Sequence, residues 1–362
     1  MTAVPASPSG TRVDLDGPEI VARFESDGML QDIRSLPQQC ALGWSSGTNV
    51  KLPPGYANPT SIVIAGIGGS AMGGDVVRGI TQGTCKVPIV VNRDYVLPSF
   101  VSADTLVVCS SYSGGTEETL SAFEQAVRMR ARIVVMGRGG RLLELGAGYP
   151  QIRLLTDAMP RAALGESVLG LLGLFQQLAV VPSMDDAVTE LPARLERSIS
   201  GFDVGVAENE NEAKTLARAI HGKMPVVIGV GHLGPVARRW KAQINENSDQ
   251  MAFCDELPEF NHNSIQGLSL PRIASDSLHA VVLQPDDSED KAARQGEIAA
   301  SLLEGAGIAT TVLKIPGEDS LSQALNAVAF GDFVSLYLAG VNGVDPTPID
   351  NIAMLKSQMA CG

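Results

Sequence analysis

The chain has 362 residues, 44% of them apolar and 19% charged, with 38 glycines and a formal net charge of −13. This length suits two domains of about 150–180 residues, each able to bury a core, and the composition excludes a disordered or fibrous chain. The acidic balance argues against a general binder of nucleic acid or of membrane surfaces, so a small anionic ligand would need its own local pocket.

Residues 1–15 lack the basic start and apolar core of a secretory signal and are expected to be a disordered lead-in. From 15 to 45, Ile20, Val21, Phe24, Met29, Leu30, Ile33 and Leu36 recur at helical spacing and predict helices capping a first domain. The β-branched run Ser61–Ala65 then breaks into Gly66-Ile-Gly68-Gly69-Ser70 before helix-compatible residues resume. That order predicts strand, tight loop and helix start, with backbone N–H groups converging where a phosphate binds well. An ordinary βα turn with packing glycines is the plainer alternative.

Further strands are predicted at Pro88–Val91, Thr105–Ser110, Arg132–Met136 and Ile152–Leu155. The third leads into Ser111-Tyr-Ser113-Gly-Gly-Thr116, with Glu117 and Glu118 opening a helix that Thr116 is placed to cap. Hydroxyls and close-approach glycines at such a point form a nest for a phosphate. The fourth ends in Gly137-Arg-Gly-Gly140, and Arg161 follows the fifth at a helix start, aimed back at the same end. The apolar segment Val168–Val181 is too short to span a bilayer and reads as a buried helix.

Strands alternating with helices predict an α/β chain whose parallel sheets bind ligands at their carboxyl ends. Residues 16–181 are assigned to the first domain, 182–201 (with Pro182, Pro192 and Gly201) to a linker, and 202–362 to the second. In the second domain a helix is predicted near Asn211–Ile220. Pro225–Val230, Gly231-His-Leu-Gly234 and a following helix then repeat the earlier strand, glycine and helix order. Strands follow at Met251–Cys254, His279–Leu283 and Ala309–Lys314, and a helix at Asp350–Met359.

The helix from Val236 to Ser248 spaces Arg239, Gln243 and Glu246 by four and three, which places them on one face. A solvated amphipathic helix is the commoner fate of that pattern. The loop from Cys254 to Ser264 makes Glu246 and His262 candidates for acid–base work. Glu259 and His262 also have E-x-x-H spacing, yet a carboxylate-bridged metal site needs the motif twice, and only four histidines exist. No metal site is assigned. Gly66-Ile-Gly-Gly-Ser-Ala71 also reads as a dinucleotide fingerprint with Asp94 as its acid, but that leaves the serine loop without a role. No G-x-S-x-G nucleophile elbow occurs. Five scattered cysteines suggest neither disulfides nor zinc and favour a reducing, cytoplasmic setting.

Taken together, Gly66-x-Gly68-Gly69-Ser70, Ser111-x-Ser113-Gly-Gly-Thr116-x-Glu118-Thr119, Pro160-Arg161-Ala-Ala-Leu-Gly165, Asn245-Glu246-Asn247, Glu259-Phe-x-His262-Asn263 and Pro346-x-Pro-Ile-Asp-Asn-Ile-x-x-Leu-Lys356 form one combination. It resembles the sugar isomerase (SIS) domain superfamily, and within it the bifunctional phosphoglucose/phosphomannose isomerase family, over roughly residues 20–359. The resemblance implies two SIS subdomains, each a three-layer αβα sandwich, a homodimer and a hexose 6-phosphate substrate, with no cofactor. It implies that Gly68, Gly69, Ser70, Ser111, Ser113 and Thr116 hold the phosphate, that Arg161 lies beside the reacting carbons, and that Glu246 is the base. His262, supplied across the dimer interface, and Lys356 would open the sugar ring, and Thr347 would carry the hydroxyl associated with mannose 6-phosphate. One departure stands out: Met136-Gly-Arg-Gly-Gly140 lacks the serine or threonine usual before that glycine pair. A regulatory sugar-phosphate sensor that has lost turnover and an amino-sugar phosphate isomerase are the remaining alternatives.

Overall fold

β-branched runs alternating with helix-compatible segments build two parallel sheets. The computed structural model describes residues 13–17, 20, 27–286 and 291–360; most of the expected lead-in, together with Val21 and Phe24, lies outside them. Helices α1 (Met29–Arg34) and α2 (Leu36–Thr48) come first, followed by β1 (Ser61–Ala65), α3 (Gly69–Thr81), β2 (Ile89–Asn92), β3 (Thr105–Ser110), α4 (Glu117–Arg128), β4 (Arg132–Gly137), α5 (Gly140–Leu145) and β5 (Gln151–Arg153). The sheet order is β2-β1-β3-β4-β5, all parallel. β1 and β3 are neighbours whose chains leave in opposite directions, so their carboxyl ends frame a crevice. Both predicted glycine loops begin there.

The second half supplies α6 (Leu164–Gln177), α7 (Asp185–Phe202), α8 (Glu212–Ile220), β6 (Met224–Val230), α9 (Gly234–Asn247), β7 (Phe253–Leu257), β8 (Leu278–Pro285), α10 (Lys291–Gly305), β9 (Ala309–Ile315), α11 (Ser320–Asn342) and α12 (Asp350–Ala360). Its parallel order, β7-β6-β8-β9, repeats β2-β1-β3-β4. The stretch read as a linker, 182–201, is instead helical over Asp185–Phe202. Pro192 is accommodated inside that helix, and Val188, Leu191, Leu195 and Ile199 pack into the core. The proline loses one ladder hydrogen bond, but the four buried side chains hold the helix in place.

One large apolar cluster takes residues from both sheets, among them Ile62, Ile64, Leu106 and Val108 from the first and Val227, Val281 and Leu283 from the second. A separate cluster covers the other face of each sheet. At the centre lies α11, 23 residues long and apolar enough to cross a membrane by length and composition, with 89% of its most apolar window buried inside the protein. Its sequence is apolar all round, so it carries no periodic signature of an amphipathic helix. α12 is the opposite case, exposed along its length, with Met354, Leu355 and Met359 each more than half exposed.

Candidate active site

The two glycine loops meet at the carboxyl ends of β1 and β3. Gly68 turns through a φ of +57°, which favours glycine, and α3 starts immediately after it with no side-chain cap. Gly69 allows a close approach: a Cβ there would lie 2.9 Å from the Pro160 carbonyl oxygen. The Tyr112 N–H donates to Ser70 Oγ at 3.1 Å and ties the second loop to the first. Ser111 Oγ lies 2.9 Å from Thr116 Oγ1 and accepts the Gly114 N–H at 3.0 Å. Thr116 occupies the N-cap position of α4, but its hydroxyl pairs with Ser111 and caps nothing. Two helix N-termini therefore open on one crevice without side-chain caps, surrounded by hydroxyls, which suits a phosphate dianion.

The loop after β4 supports this nest from below. Gly114 and Gly140 both have positive φ, and a Cβ at Gly114 would come within 1.9 Å of the Gly139 carbonyl oxygen. Leu142 N–H donates to the Gly114 carbonyl at 2.9 Å and Arg138 N–H to the Tyr112 carbonyl at 3.1 Å. The departure at residues 136–140 is thus a backbone cradle, with the Arg138 side chain turned to Asp157 at 2.6 Å.

Arg161 sits at the end of a clamped irregular segment. The buried Glu166 carboxylate accepts the N–H groups of Leu155 and Thr156, at 2.9 and 3.0 Å to Oε1. The Tyr112 hydroxyl lies 2.7 Å from the carbonyl oxygens of both Thr156 and Ala158, and Asp32 Oδ2 accepts the Met159 N–H at 2.7 Å. Arg161 is buried, with 6% of the residue exposed. Its Nε donates to Asn247 Oδ1 at 2.7 Å, and its Nη2 donates to the carbonyls of Pro346 and Thr347 at 2.6 and 2.8 Å. Burial pulls its pKa down; Glu246 is the strongest charge opposing that shift, followed by Asp32. Nη1 is the one guanidinium nitrogen without a hydrogen-bond partner among the described residues.

The predicted face of α9 divides. Arg239 donates from Nη2 to both Asp332 oxygens at 2.9 and 2.7 Å, and Gln243 Nε2 donates to Asp332 Oδ1 at 3.1 Å, so these two belong to the core. Glu246, half-buried at the far end of the helix, adjoins Asn247, whose side chain holds Arg161, and is the charge that acts most strongly on that guanidinium.

His262 stands apart from this group within one chain. It is exposed, in a turn (Glu259–His262) after the carboxyl end of β7, where Phe260 packs with Leu257 and Val230. Glu256, near the end of β7, faces Gly234 at the start of α9. From Gly234 to Glu246 the helix rises about 18 Å. No hydrogen bond or ion pair joins His262 to Glu246 among the described residues. Lys356 is likewise exposed, on α12, while Thr347 reaches the site through its carbonyl. Gly68, Gly69, Ser70, Ser111, Thr116 and Arg161 are thus gathered around one crevice, with Ser113 in its loop and Thr347 and Glu246 on the Arg161 side, whereas His262 and Lys356 are exposed and make no hydrogen bond or ion pair with this group among the described residues.

Sequence reasoning assigned no role to Glu166, Asn247, Asp332 or Ser335. Asn247 was within reach, since it adjoins Glu246 in a motif already singled out. The two α11 residues left no signal in a helix that showed no period.

Residues 209–359 match the family model described as bacterial phospho-glucose isomerase C-terminal SIS domain. The chain is 36% identical over 335 residues to the bifunctional phosphoglucose/phosphomannose isomerase of Caldicellulosiruptor bescii, covering 92% of this chain and 99% of that one. It is 33% identical to the protein of the same description from Aquifex aeolicus, covering 82% and 90%. Among solved structures, the C-terminal domain of glucosamine-fructose-6-phosphate aminotransferase from Francisella tularensis superposes with a TM-score of 0.68 at 14% identity, covering 89% of this chain and 98% of that one, which speaks to the fold alone. With the crevice, its arginine and its glutamate in place, the chain belongs to the bifunctional phosphoglucose/phosphomannose isomerase family of sugar-phosphate isomerases.

Proposed function

We propose that the chain interconverts glucose 6-phosphate and mannose 6-phosphate with fructose 6-phosphate through a cis-enediol. The observation that carries this reading is a half-buried carboxylate, Glu246, next in the chain to Asn247, whose side chain accepts from the buried Arg161 at 2.7 Å, beside a crevice of uncapped helix N-termini and hydroxyls. The phosphate occupies the nest of Gly68–Ser70, Ser111, Ser113 and Thr116. Glu246 takes the proton from C2 of the open-chain aldose and returns it to C1, while Arg161 Nη1 stabilises the oxygen on which negative charge develops. Glucose and mannose 6-phosphates differ only at C2, and that stereocentre is lost in the enediol, so one site serves both.

Ring opening moves a proton from O1 to the ring oxygen, and His262 and Lys356 are assigned to that step. His262 stands apart from Glu246 within one chain and is exposed, which supports its supply by a second copy and a homodimer as the working unit. Burial first and the Asp350 carboxylate second raise the pKa of Asp249, so the start of α12 lies within electrostatic reach of the turn after α9. Met251 before β7, Phe253 at its start, and Met354, Leu355 and Met359 on α12 are exposed apolar side chains, the composition of a subunit contact.

Turnover of the two aldose phosphates, measured separately as fructose 6-phosphate formed, tests the activity. Mixing refolded Glu246→Gln and His262→Ala subunits tests the shared site: two silent variants regain turnover if each site takes one residue from each chain. Saturable hexose phosphate binding without turnover in the parent would replace the reading with a sensor.

A further inference from the structure

α9 and α11 cross with the Trp240 indole seated on Gly331. A Cβ at Gly331 would lie 2.2 Å from Trp240 Nε1, and that indole donates to the Ala327 carbonyl at 2.8 Å. The crossing sets Arg239, Gln243 and Asn247, four apart along α9, against Asp332 and Ser335, three apart along α11. Besides the Arg239–Asp332 fork, Asn247 Nδ2 donates to Ser335 Oγ at 3.0 Å, and Ser335 Oγ donates to the Asp332 carbonyl at 2.8 Å. All five side chains are buried.

The other side of this ladder holds Arg161 at two points. Arg239 Nη1 donates to the Arg161 carbonyl at 2.9 Å, and Asn247 Oδ1 accepts from Arg161 Nε at 2.7 Å. The second contact depends on which way the Asn247 amide faces. The Ser335 hydroxyl has one proton, spent on the Asp332 carbonyl, so toward Asn247 it only accepts. Asn247 must present its NH2 to Ser335 and hence its oxygen to Arg161. Asp332 is the only charged residue in α11. A buried ion pair contributes little net stability over an apolar pair, because desolvation offsets the attraction, so cohesion of the core does not explain it.

We propose that Asp332 and Ser335 are positioning residues for Arg161: through Arg239 and Asn247 they hold its backbone and its Nε, leaving Nη1 aimed at the crevice. The proposal rests on Arg161 serving the isomerisation proposed above.

Ser335→Ala removes the hydroxyl without adding volume. In the full chain it lowers kcat about five- to fiftyfold, through misorientation of a group at the reacting atoms, while KM stays within about twofold. In an Arg161→Lys background, the same change alters kcat by less than about twofold, since the group it positions is gone. Exchange of the Arg161 Nε–H, followed by NMR of arginine-labelled protein, speeds up about tenfold or more in Ser335→Ala. Arg218, whose Nε donates to Glu208 at 2.9 Å, keeps its rate and serves as the control. Asp332→Asn, of equal volume, gives the same pattern. Equal kcat losses in both backgrounds, or unchanged Arg161 exchange, would overturn the proposal. A parent chain that turns over neither hexose phosphate defeats the functional reading instead, and the exchange rates still decide whether Ser335 positions Arg161.

Discussion

The two sheets share a topology and an opening turn, yet their carboxyl ends differ in charge. Gly68 before α3 and Gly231, which opens the short turn before α9, both have positive φ, +57° and +58°. The first helix residue is glycine in both, and what fills the space differs. At Gly69 it is the backbone of Pro160 and Arg161; at Gly234 it is the Glu256 carboxylate, whose Oε2 would lie 2.6 Å from a Cβ. After β3 the sequence continues with Ser111, Ser113 and Thr116, whereas after β8 it reads Asp286-Asp-Ser-Glu-Asp290. A repeated fold therefore supplies two ends with helix N-termini, and the side chains beside them differ in charge: hydroxyls at the first, carboxylates at the second.

The sharpest test of the first end is its base. Glu246→Gln keeps shape and removes the proton acceptor, so kcat falls by about 10²- to 10⁴-fold while inorganic phosphate still binds. Steady-state kinetics beside a phosphate titration separate the two effects, and a kcat within tenfold of the parent would reject Glu246 as the base. Arg161→Ala comes next, with a kcat loss of about 10²- to 10³-fold, the cost of losing a preorganised donor at a developing oxyanion. Here the variant's thermal stability must also be followed, because Asn247 and the carbonyls of Pro346 and Thr347 lose their partner.

The same contrast shows how much was legible beforehand. The strands built from short β-branched runs bounded by turn residues were readable, and β1 and β3 pointed directly at the two loops. The hydroxyls and glycines of the nest were visible for the same reason: they interrupt an apolar pattern. β7 (Phe253–Leu257), in contrast, overlaps the expected Met251–Cys254 by two residues only, because its Phe-Cys-Asp-Glu-Leu sequence is half-exposed and carries no β-branched run. α11 was not read, since a helix buried on every side has no polar face to betray its period. Its absence hid Asp332 and Ser335, and with them the reason Arg239 and Gln243 share a face with Glu246. The 182–201 stretch misled because Pro192 and Gly201 suggest loops, while tertiary packing of Val188, Leu191, Leu195 and Ile199 outweighs the proline. Thr116 was correctly placed at a helix start, yet the nearer hydroxyl of Ser111 competes for its side chain.

A milder change at the first end is Ser111→Ala. The buried hydroxyl links Thr116 and the Gly114 N–H, so its loss loosens the nest without touching the base. KM for the hexose phosphate rises about tenfold, corresponding to about 1.4 kcal/mol, with kcat little changed. A fall in kcat alone would place Ser111 at the reacting carbons and not at the phosphate.

The smallest effect is expected at the second end. Its crevice opens into a cleft of about 710 Å³ lined by Arg78, Lys86, Glu256 and Glu259, large enough for a sugar phosphate by volume alone. Glu256 already places a carboxylate at the start of α9, where a phosphate would have to sit, and the two anions would repel. Glu256→Gln should therefore leave kcat and KM within about twofold of the parent, and calorimetric titration of the parent chain should give one phosphate site per chain. The Gln variant also makes the comparison itself breakable. If neutralising that one side chain creates a second phosphate site, the glycine turn alone was sufficient and the carboxylate was the gate. If no second site appears, the hydroxyl loop after β3, which the second sheet lacks, is the part of the first end that a bare helix N-terminus cannot replace.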